Sequence, residues 1–240
     1  MDSHYRRNFM VVPSMTDPSG RLSYLAPFAM FMDIASEHAE RLGIGTDLIQ
    51  RGLFWLTIKT KICFRERPRL GEDVTIATWP EKPGHVRCNR SYQILRGSEA
   101  MITGKTEWAV LNRATGKLAE MDGIFPPELE MDRPSACPEA FARISGKITN
   151  VNESSLHSVR STDIDIGQHM NNVAYVKAIL DSFSVQELCE MNAGAIDVIF
   201  KSQSYEGALL DVVRQQTGNE IDICVGTSDR ISVLARISLV

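Results

Sequence analysis

Residues 161–183, STDIDIGQHMNNVAYVKAILDSF, concentrate polar chemistry just ahead of an apolar run with helical spacing. Asp165 stands four residues before His169 across Gly167, so a tight turn brings carboxylate and imidazole face to face, with the backbone N–H groups of a helix start pointing into the same space. A carboxylate can orient a water or act as base, an imidazole can share its proton, and N–H donors suit the oxyanion of an attacked thioester. The reaction class suggested is hydrolytic acyl transfer. Part of the cluster has a plain structural use: Asn171 or Asn172 supplies the helix cap, and Asp163 and Asp165 are favourable near the positive helix end. One cap satisfies the helix, which leaves His169 and the second asparagine unexplained.

The elements that must position these residues follow from periodicity. Phe28, Phe31, Met32, Ala35, Ala39 and Leu42 recur at helical spacing and predict a helix over 25–43, stopped by Gly43. From residue 53 the period changes to two, predicting a strand over 53–64, with further strands at about 73–80, 86–96 and 101–112 separated by Gly- and Pro-containing turns. Residues 126–141 hold four of the ten prolines and read as a linker. The order then repeats: a short strand near 155–162, a helix over about 172–191, and strands near 195–202, 208–215, 220–226 and 231–239. FRERPRLG (64–71) and FKSQSYEG (200–207) echo each other at equivalent places. The expectation is an α+β tandem double hotdog, two antiparallel sheets each wrapped around a long helix and joined edge to edge, with domains 1–125 and 142–240 about the linker.

Composition removes several classes. A net charge of −4 gives no general attraction to nucleic acid or anionic membrane, and no segment approaches a membrane span. An acidic partner would need a local basic patch, for which Arg65, Arg67 and Arg69, with Arg87, Arg90 and Arg96, are the dense candidates. Five cysteines, odd in number and without a CxxC pair, speak against a disulfide framework or a zinc site, so no metal or cofactor is expected and the cytoplasm fits best. No GxSxG elbow is present, and TGK at 115–117 lacks the upstream glycine of a phosphate loop.

DIDIGQHMNNVAY resembles the Asp-x-Asn-x-His-x-Asn-Asn-x-x-Tyr segment of the acyl-acyl carrier protein (acyl-ACP) thioesterases. GLFWLTIKTKICFRERPRLGEDVTIATWP, NRSYQILRG and WAVLNRATGKLAEM are similar to that family's first-half strands in the same order, so the resemblance runs over nearly the whole chain. It implies a double hotdog hydrolysing a fatty-acyl thioester carried on acyl carrier protein, the Asp and His of the motif falling on Asp165 and His169. The Asn of the motif is Gly167 here. An acidic residue followed by Cys on a later strand falls on Gln203 and Ser204; Gln203 cannot act as a general base but can hydrogen-bond a water. The catalytic set implied is Asp165, His169 and Gln203, supported by Gly167, Asn171, Asn172 and Tyr175. Tyr175 is also well explained as core, and the asparagines as caps or ties. The segment GRLSYLAPF ahead of the first helix lacks the Asp and Asn constellation, so the first half is expected to form the acyl pocket and His38 to be a flanking helix residue. Acyl-CoA hydrolysis and noncatalytic acyl binding are the alternatives, the latter motivated by Gly167 and Gln203. Pairing into a homodimer is compatible with the sequence.

Overall fold

Pro27 occupies the first turn of a helix, where its missing N–H costs nothing, and Gly43 with φ of 68° ends it. This is α1 (Ala26–Arg41), whose buried stripe is Phe28, Phe31, Ile34, Ala35 and His38. The computed structural model that contains it describes residues 2–148 and 151–240. Two units are distinguished, Met1–Glu139 and Ala140–Val240. Of the ranges expected as domains, residues 1 and 149–150 lie outside the described residues.

In the first unit the chain runs β1 (Tyr5–Met10), α1, α2 (Thr46–Gln50), β2 (Leu53–Phe64), β3 (Asp73–Pro80), β4 (Cys88–Arg96), β5 (Glu99–Asn112) and β6 (Lys117–Leu118). All pairings are antiparallel, in the order β1-β3-β4-β5-β2, with β6 against β5. Gly104 of β5 lets α1 approach the sheet: a Cβ there would stand 2.7 Å from the Phe31 ring. Phe31 stacks on Tyr92 of β4 with ring centroids 4.6 Å apart, and both are fully buried. Truncating Phe31 to Ala would cost about 3–5 kcal/mol.

The stretch 126–141 contains no helix or strand, as its prolines require, yet its part within the first unit, up to Glu139, is held along that unit. Leu129 is buried in one cluster with Leu42, Ile44 and Val110, and Trp79 Nε1 donates to the Pro134 carbonyl at 3.2 Å.

The second unit runs β7 (Glu153–Ser158), α3 (Asn172–Leu180), α4 (Val185–Glu190), β8 (Ala193–Phe200), β9 (Leu209–Thr217), β10 (Glu220–Gly226) and β11 (Ile231–Leu239). Its antiparallel order is β8-β11-β10-β9-β7. The single long helix expected over 172–191 is corrected to two short ones. Ser184 starts the second: its Oγ accepts from the Glu187 N–H at 3.2 Å while the Glu187 carboxylate accepts from the Ser184 N–H at 2.7 Å, a reciprocal cap that forces a break after α3. No helix among the described residues is long and apolar enough to cross a membrane.

Candidate active site

Buried Val159 fixes where the motif loop begins, its N–H donating to the Ala208 carbonyl at 2.9 Å and its carbonyl accepting from Gly207 at 3.0 Å. A 3-10 turn at Ser161–Asp163 follows, and Ile164 then bridges antiparallel to Met170. Between them the chain doubles back: the Asp165 N–H donates to the His169 carbonyl at 3.2 Å and the Gln168 N–H to the Asp165 carbonyl at 2.9 Å, with Gln168 in the left-handed region at φ 61°. Fully buried Met170 anchors the far side, its N–H donating to the Ser204 carbonyl at 2.8 Å.

Two titratable side chains stand on this bend, Asp165 exposed and His169 half-buried. Asp165 Oδ1 accepts the Gly167 N–H at 2.7 Å. His169 Nδ1 lies 3.1 Å from the Met170 carbonyl oxygen. A carbonyl only accepts, so Nδ1 carries the proton and Nε2 presents a lone pair. A Cβ at Gly167 would stand 2.9 Å from both Asp165 Oδ1 and His169 Nε2. The carboxylate and the imidazole therefore converge on the space that a side chain at 167 would occupy. Both atoms that meet it are the ends of rotatable side chains, so an Asn there would displace them.

The remaining expected site residues fall as follows. Asn171 is the N-cap of α3, its Oδ1 accepting from the Ala174 N–H at 2.8 Å and its Nδ2 donating to the Asp163 carbonyl at 2.9 Å. Asn172 opens the helix, and its side chain makes no hydrogen bond among the described residues. Tyr175 is buried under Phe200, and burial raises its phenol above the ordinary range; its hydroxyl sits 3.4 Å from the Ser202 carbonyl it donates to. Gln203 is exposed: its Oε1 accepts from Tyr205 at 3.1 Å and its carbonyl from Arg230 at 2.8 Å. The backbone bond from Met170 to Ser204 brings that strand end to the loop, but no hydrogen bond joins Gln203 to Asp165 or His169 among the described residues.

The first half contains the same loop, beginning at Asp17, ahead of the segment GRLSYLAPF that lacks an aspartate. Asp17 N–H donates to the Arg21 carbonyl at 2.9 Å, Gly20 N–H to the Asp17 carbonyl at 2.9 Å, and Leu22 N–H to the Pro68 carbonyl at 2.7 Å. Asp17 Oδ1 accepts the Ser19 N–H at 2.9 Å, as Asp165 accepts that of Gly167. The signal was available as Asp17 and Gly20 in TDPSGRLS, obscured because Arg21 and Ser23 stand where the second half has His169 and Asn171. Arg67, three residues after Phe64 as Gln203 is after Phe200, forms a buried ion pair with Asp17, donates to the Leu22 carbonyl at 3.1 Å, and lies 4.1 Å over the Tyr24 ring.

That pairing also thins the basic patch. Arg67 and Arg90 are buried, Arg87 pairs with Glu107 at 2.8 Å, and Arg96 with Glu66 at 3.0 Å and with Glu72. Arg65 is exposed beside Glu99 at 3.0 Å, and Arg69 is exposed with no ion pair among the described residues. His38, expected on a helix flank, is buried at 3% exposure, stacked on Tyr5 and held by Arg90 at 3.0 Å. A cavity of about 520 Å³ in the second unit, lined by Phe183, Glu187, Arg214 and Ile221, includes none of the motif residues. Its one buried cation, Arg214, already pairs with Glu153 and Glu187.

Structures that match this architecture over its whole length are double hotdogs. An acyl-ACP thioesterase from Bacteroides thetaiotaomicron superposes with a TM-score of 0.88 at 21% identity, covering 99% of this chain and 98% of that one. The 12:0-ACP thioesterase from Umbellularia californica gives 0.83 at 16%, covering 98% and 96%. The fold is thus an α+β double hotdog. Family models for the acyl-ACP thioesterase N-terminal domain and C-terminal domain match residues 2–125 and 146–236, and the chain belongs to that family. Among curated relatives, an acyl-[acyl-carrier-protein] hydrolase of Cuphea viscosissima is 24% identical over 207 residues, covering 78% of this chain and 50% of its own. Oleoyl-acyl carrier protein thioesterase 1 of Arabidopsis thaliana is 23% identical over 232 residues, covering 89% and 64%. The chain thus spans about half to two thirds of the length of these relatives.

Proposed function

We propose that the chain is a thioester hydrolase that releases a free fatty acid and the carrier thiol from fatty acyl-ACP, acting in the cytoplasm without metal or cofactor. The observation that carries this is that Asp165 Oδ1 and His169 Nε2 flank the same side of Gly167, each 2.9 Å from where a Cβ at 167 would stand. A water bridging the two side chains over Gly167 would donate one proton toward each acceptor and aim its oxygen at the thioester carbonyl. Asp165 orients the water and stabilises the imidazolium that forms; His169 accepts the water's proton and returns it to the leaving sulfur. Asn172 and Val173 begin α3, where backbone N–H groups lack intrahelical partners, and these receive the oxyanion. Asn171 caps the helix start, Tyr175 packs beneath it, and Gln203 contributes a neutral hydrogen-bonding group at the rim. The names of the curated relatives support the acyl-ACP substrate. Arg65 and Arg69 are the exposed cations left to meet an acidic carrier.

The test is release of thiol from acyl-ACP and from acyl-CoA by the purified chain, with Asp165→Asn alongside. Turnover of acyl-ACP above acyl-CoA, lost in the variant, is the expected result. Binding of both without turnover would favour the noncatalytic acyl-binding alternative, which the Gly167 and Gln203 substitutions motivate; preference for acyl-CoA would move the carrier assignment.

A further inference from the structure

Two cysteines far apart in sequence meet in the first unit, contrary to their wide spacing. Cys63 lies near the end of β2, paired across the ladder with Thr103 of β5, and Cys137 arrives on the proline-containing stretch. Their Sγ atoms are 3.6 Å apart although the residues are 74 positions apart. The stretch is pinned on both sides of Cys137: the Ala136 N–H donates to Ser91 Oγ at 2.8 Å, and Lys105 Nζ donates to the Glu139 carbonyl at 2.5 Å. The Glu139 carboxylate completes the group, with both sulfurs and a carboxylate oxygen within 4.8 Å of one another. Cys137 is fully buried, Cys63 partly exposed. None of the five cysteines is in a disulfide.

Two chemistries fit a pair of sulfurs and a carboxylate at this spacing, a soft divalent cation or two-electron oxidation. Lys61 and Lys105 decide between them. Both are buried, they pair across β2 and β5, and both act electrostatically on the Glu139 carboxylate. A divalent cation would enter the field of two buried ammonium groups that already act on the Glu139 carboxylate, whereas two-electron oxidation adds no positive charge beside them.

We propose that Cys63 and Cys137 form an oxidant-sensitive dithiol site whose co-reactant is hydrogen peroxide. The more accessible Cys63 attacks, as thiolate, one peroxide oxygen; the O–O bond breaks, the other oxygen leaves and takes a proton to become water, and Cys63 becomes a sulfenic acid. The Cys137 sulfur then displaces the sulfenic hydroxyl, which leaves as a second water with the Cys137 proton, and the S–S bond forms. Two thiols give up two electrons and one peroxide becomes two waters. The hydrogen bond to Cys63 and burial hold the Cys137 thiol above its ordinary range, so its proton stays until this second step. Closing 3.6 Å to the roughly 2.05 Å of a disulfide needs a shift of about 1.5 Å, within reach of side-chain rotation. The product would tie β2 to the stretch 126–141.

The test uses the reduced full chain exposed to hydrogen peroxide, then alkylated after denaturation and mapped by mass spectrometry. A Cys63–Cys137 cross-linked peptide, loss of two alkylatable thiols per chain and their recovery with dithiothreitol are expected, and Cys63→Ser should abolish all three. Cys137→Ser disturbs a fully buried position and can fail to fold, so the partly exposed Cys63→Ser variant carries the control. Both cysteines remaining alkylatable under peroxide that oxidises exposed Cys189 would overturn the proposal. So would cross-linking of Cys63 to a different cysteine, or stoichiometric zinc retained by the reduced chain that shields both thiols, which would make the group a metal site.

Discussion

The loops at 15–23 and 163–171 share one backbone and differ in what they do with an aspartate. In each, the Asp side chain accepts the N–H two residues on, the Asp backbone closes on the residue four ahead, and the segment is pinned to the strand end that follows Phe64 or Phe200. The glycines that close those strand ends, Gly71 and Gly207, sit at φ 79° and 82°. In the first loop Arg67 reaches in and neutralises Asp17, and both side chains are about 90% or more buried. In the second the corresponding residue is Gln203, which turns to Tyr205, and Asp165 stays exposed. The same bend holds a carboxylate that a cation closes in the first loop and that stays open in the second, where the proposed chemistry falls. The difference rests on residues 67 and 203.

The largest effect expected is therefore in the first-half loop. Arg67→Ala leaves the Asp17 carboxylate buried without its cation and should destabilise the protein by about 3–5 kcal/mol, read by denaturant unfolding. Burial pushes the Asp17 carboxyl up, but the Ser19 hydrogen bond and Arg67 outweigh it and hold it below the ordinary range. With the folded value depressed, the pair's contribution is present above about pH 3.9 and is lost as pH falls through the lower folded value. Asp17→Asn should shift stability and leave the kcat of the proposed hydrolysis near the parent's.

Asp165→Asn should do the reverse. Removing the charge while keeping the shape should lower kcat by roughly 10²-fold, about 2.7 kcal/mol in the transition state, with the unfolding midpoint unchanged. If both Asp→Asn variants lose stability and neither loses turnover, the two loops are equivalent and the comparison collapses.

The helices that leave these loops differ as well, and pH separates them. α1 carries buried His38, whose Nδ1 accepts from Arg90; burial and then the Arg90 charge lower its pKa to about 3. It also faces Tyr5, His4, Asp2 and Arg41. The unfolded chain takes up the proton near pH 6.5 and the folded chain does not. Stability should thus fall as pH drops from about 6.5 toward 3, by up to about 1.4 kcal/mol per unit. His38→Gln should flatten that slope in unfolding measured from pH 7 to 4.5. An unchanged slope would place the acid sensitivity elsewhere.

Much of this was visible in the residues. Periodicity placed α1 and β2 almost to the residue, and the Phe–Gly echo marked the equivalent strand ends. β1 was not legible because Arg6, Arg7 and Asn8 hide a strand that pairs in register with β3. The break between α3 and α4 was hidden because Phe183 continues the apolar spacing through it. Asp165, Gly167 and His169 could be singled out because the chemistry is local, within five positions. The Asp17–Arg67 pair spans 50 residues and the Cys63–Cys137 contact 74, separations that only the tertiary fold closes.

Next in size are the caps. Asn171→Ala removes the bond to Ala174 and should cost about 1 kcal/mol. Ser23→Ala in the first loop removes a longer contact to Ala26, 3.2 Å against 2.8 Å, and should cost less. Equal losses, read from paired unfolding curves, would mean that the cap geometry does not distinguish the loops.

The smallest effect is the most pointed, because it exchanges the residue on which the comparison rests. Gln203 is exposed, so changing it should leave stability within about 0.5 kcal/mol. Gln203→Glu restores the acidic residue that the family resemblance places here. A second acceptor at the rim of the bend should help hold the attacking water, raising kcat by about fivefold, near 1 kcal/mol. Gln203→Arg tests the opposite direction, since it rebuilds beside Asp165 the partner that Asp17 has. A guanidinium on the carboxylate lowers its basicity and competes with water for its oxygens, so kcat should fall while stability rises slightly. Opposite signs for the two variants would mean that residue 203 governs whether this loop is open to water. Unchanged kcat in both would mean that Gln203, directed at Tyr205, never senses Asp165, and that the fates of the two loops were set by His169 and Arg21 instead.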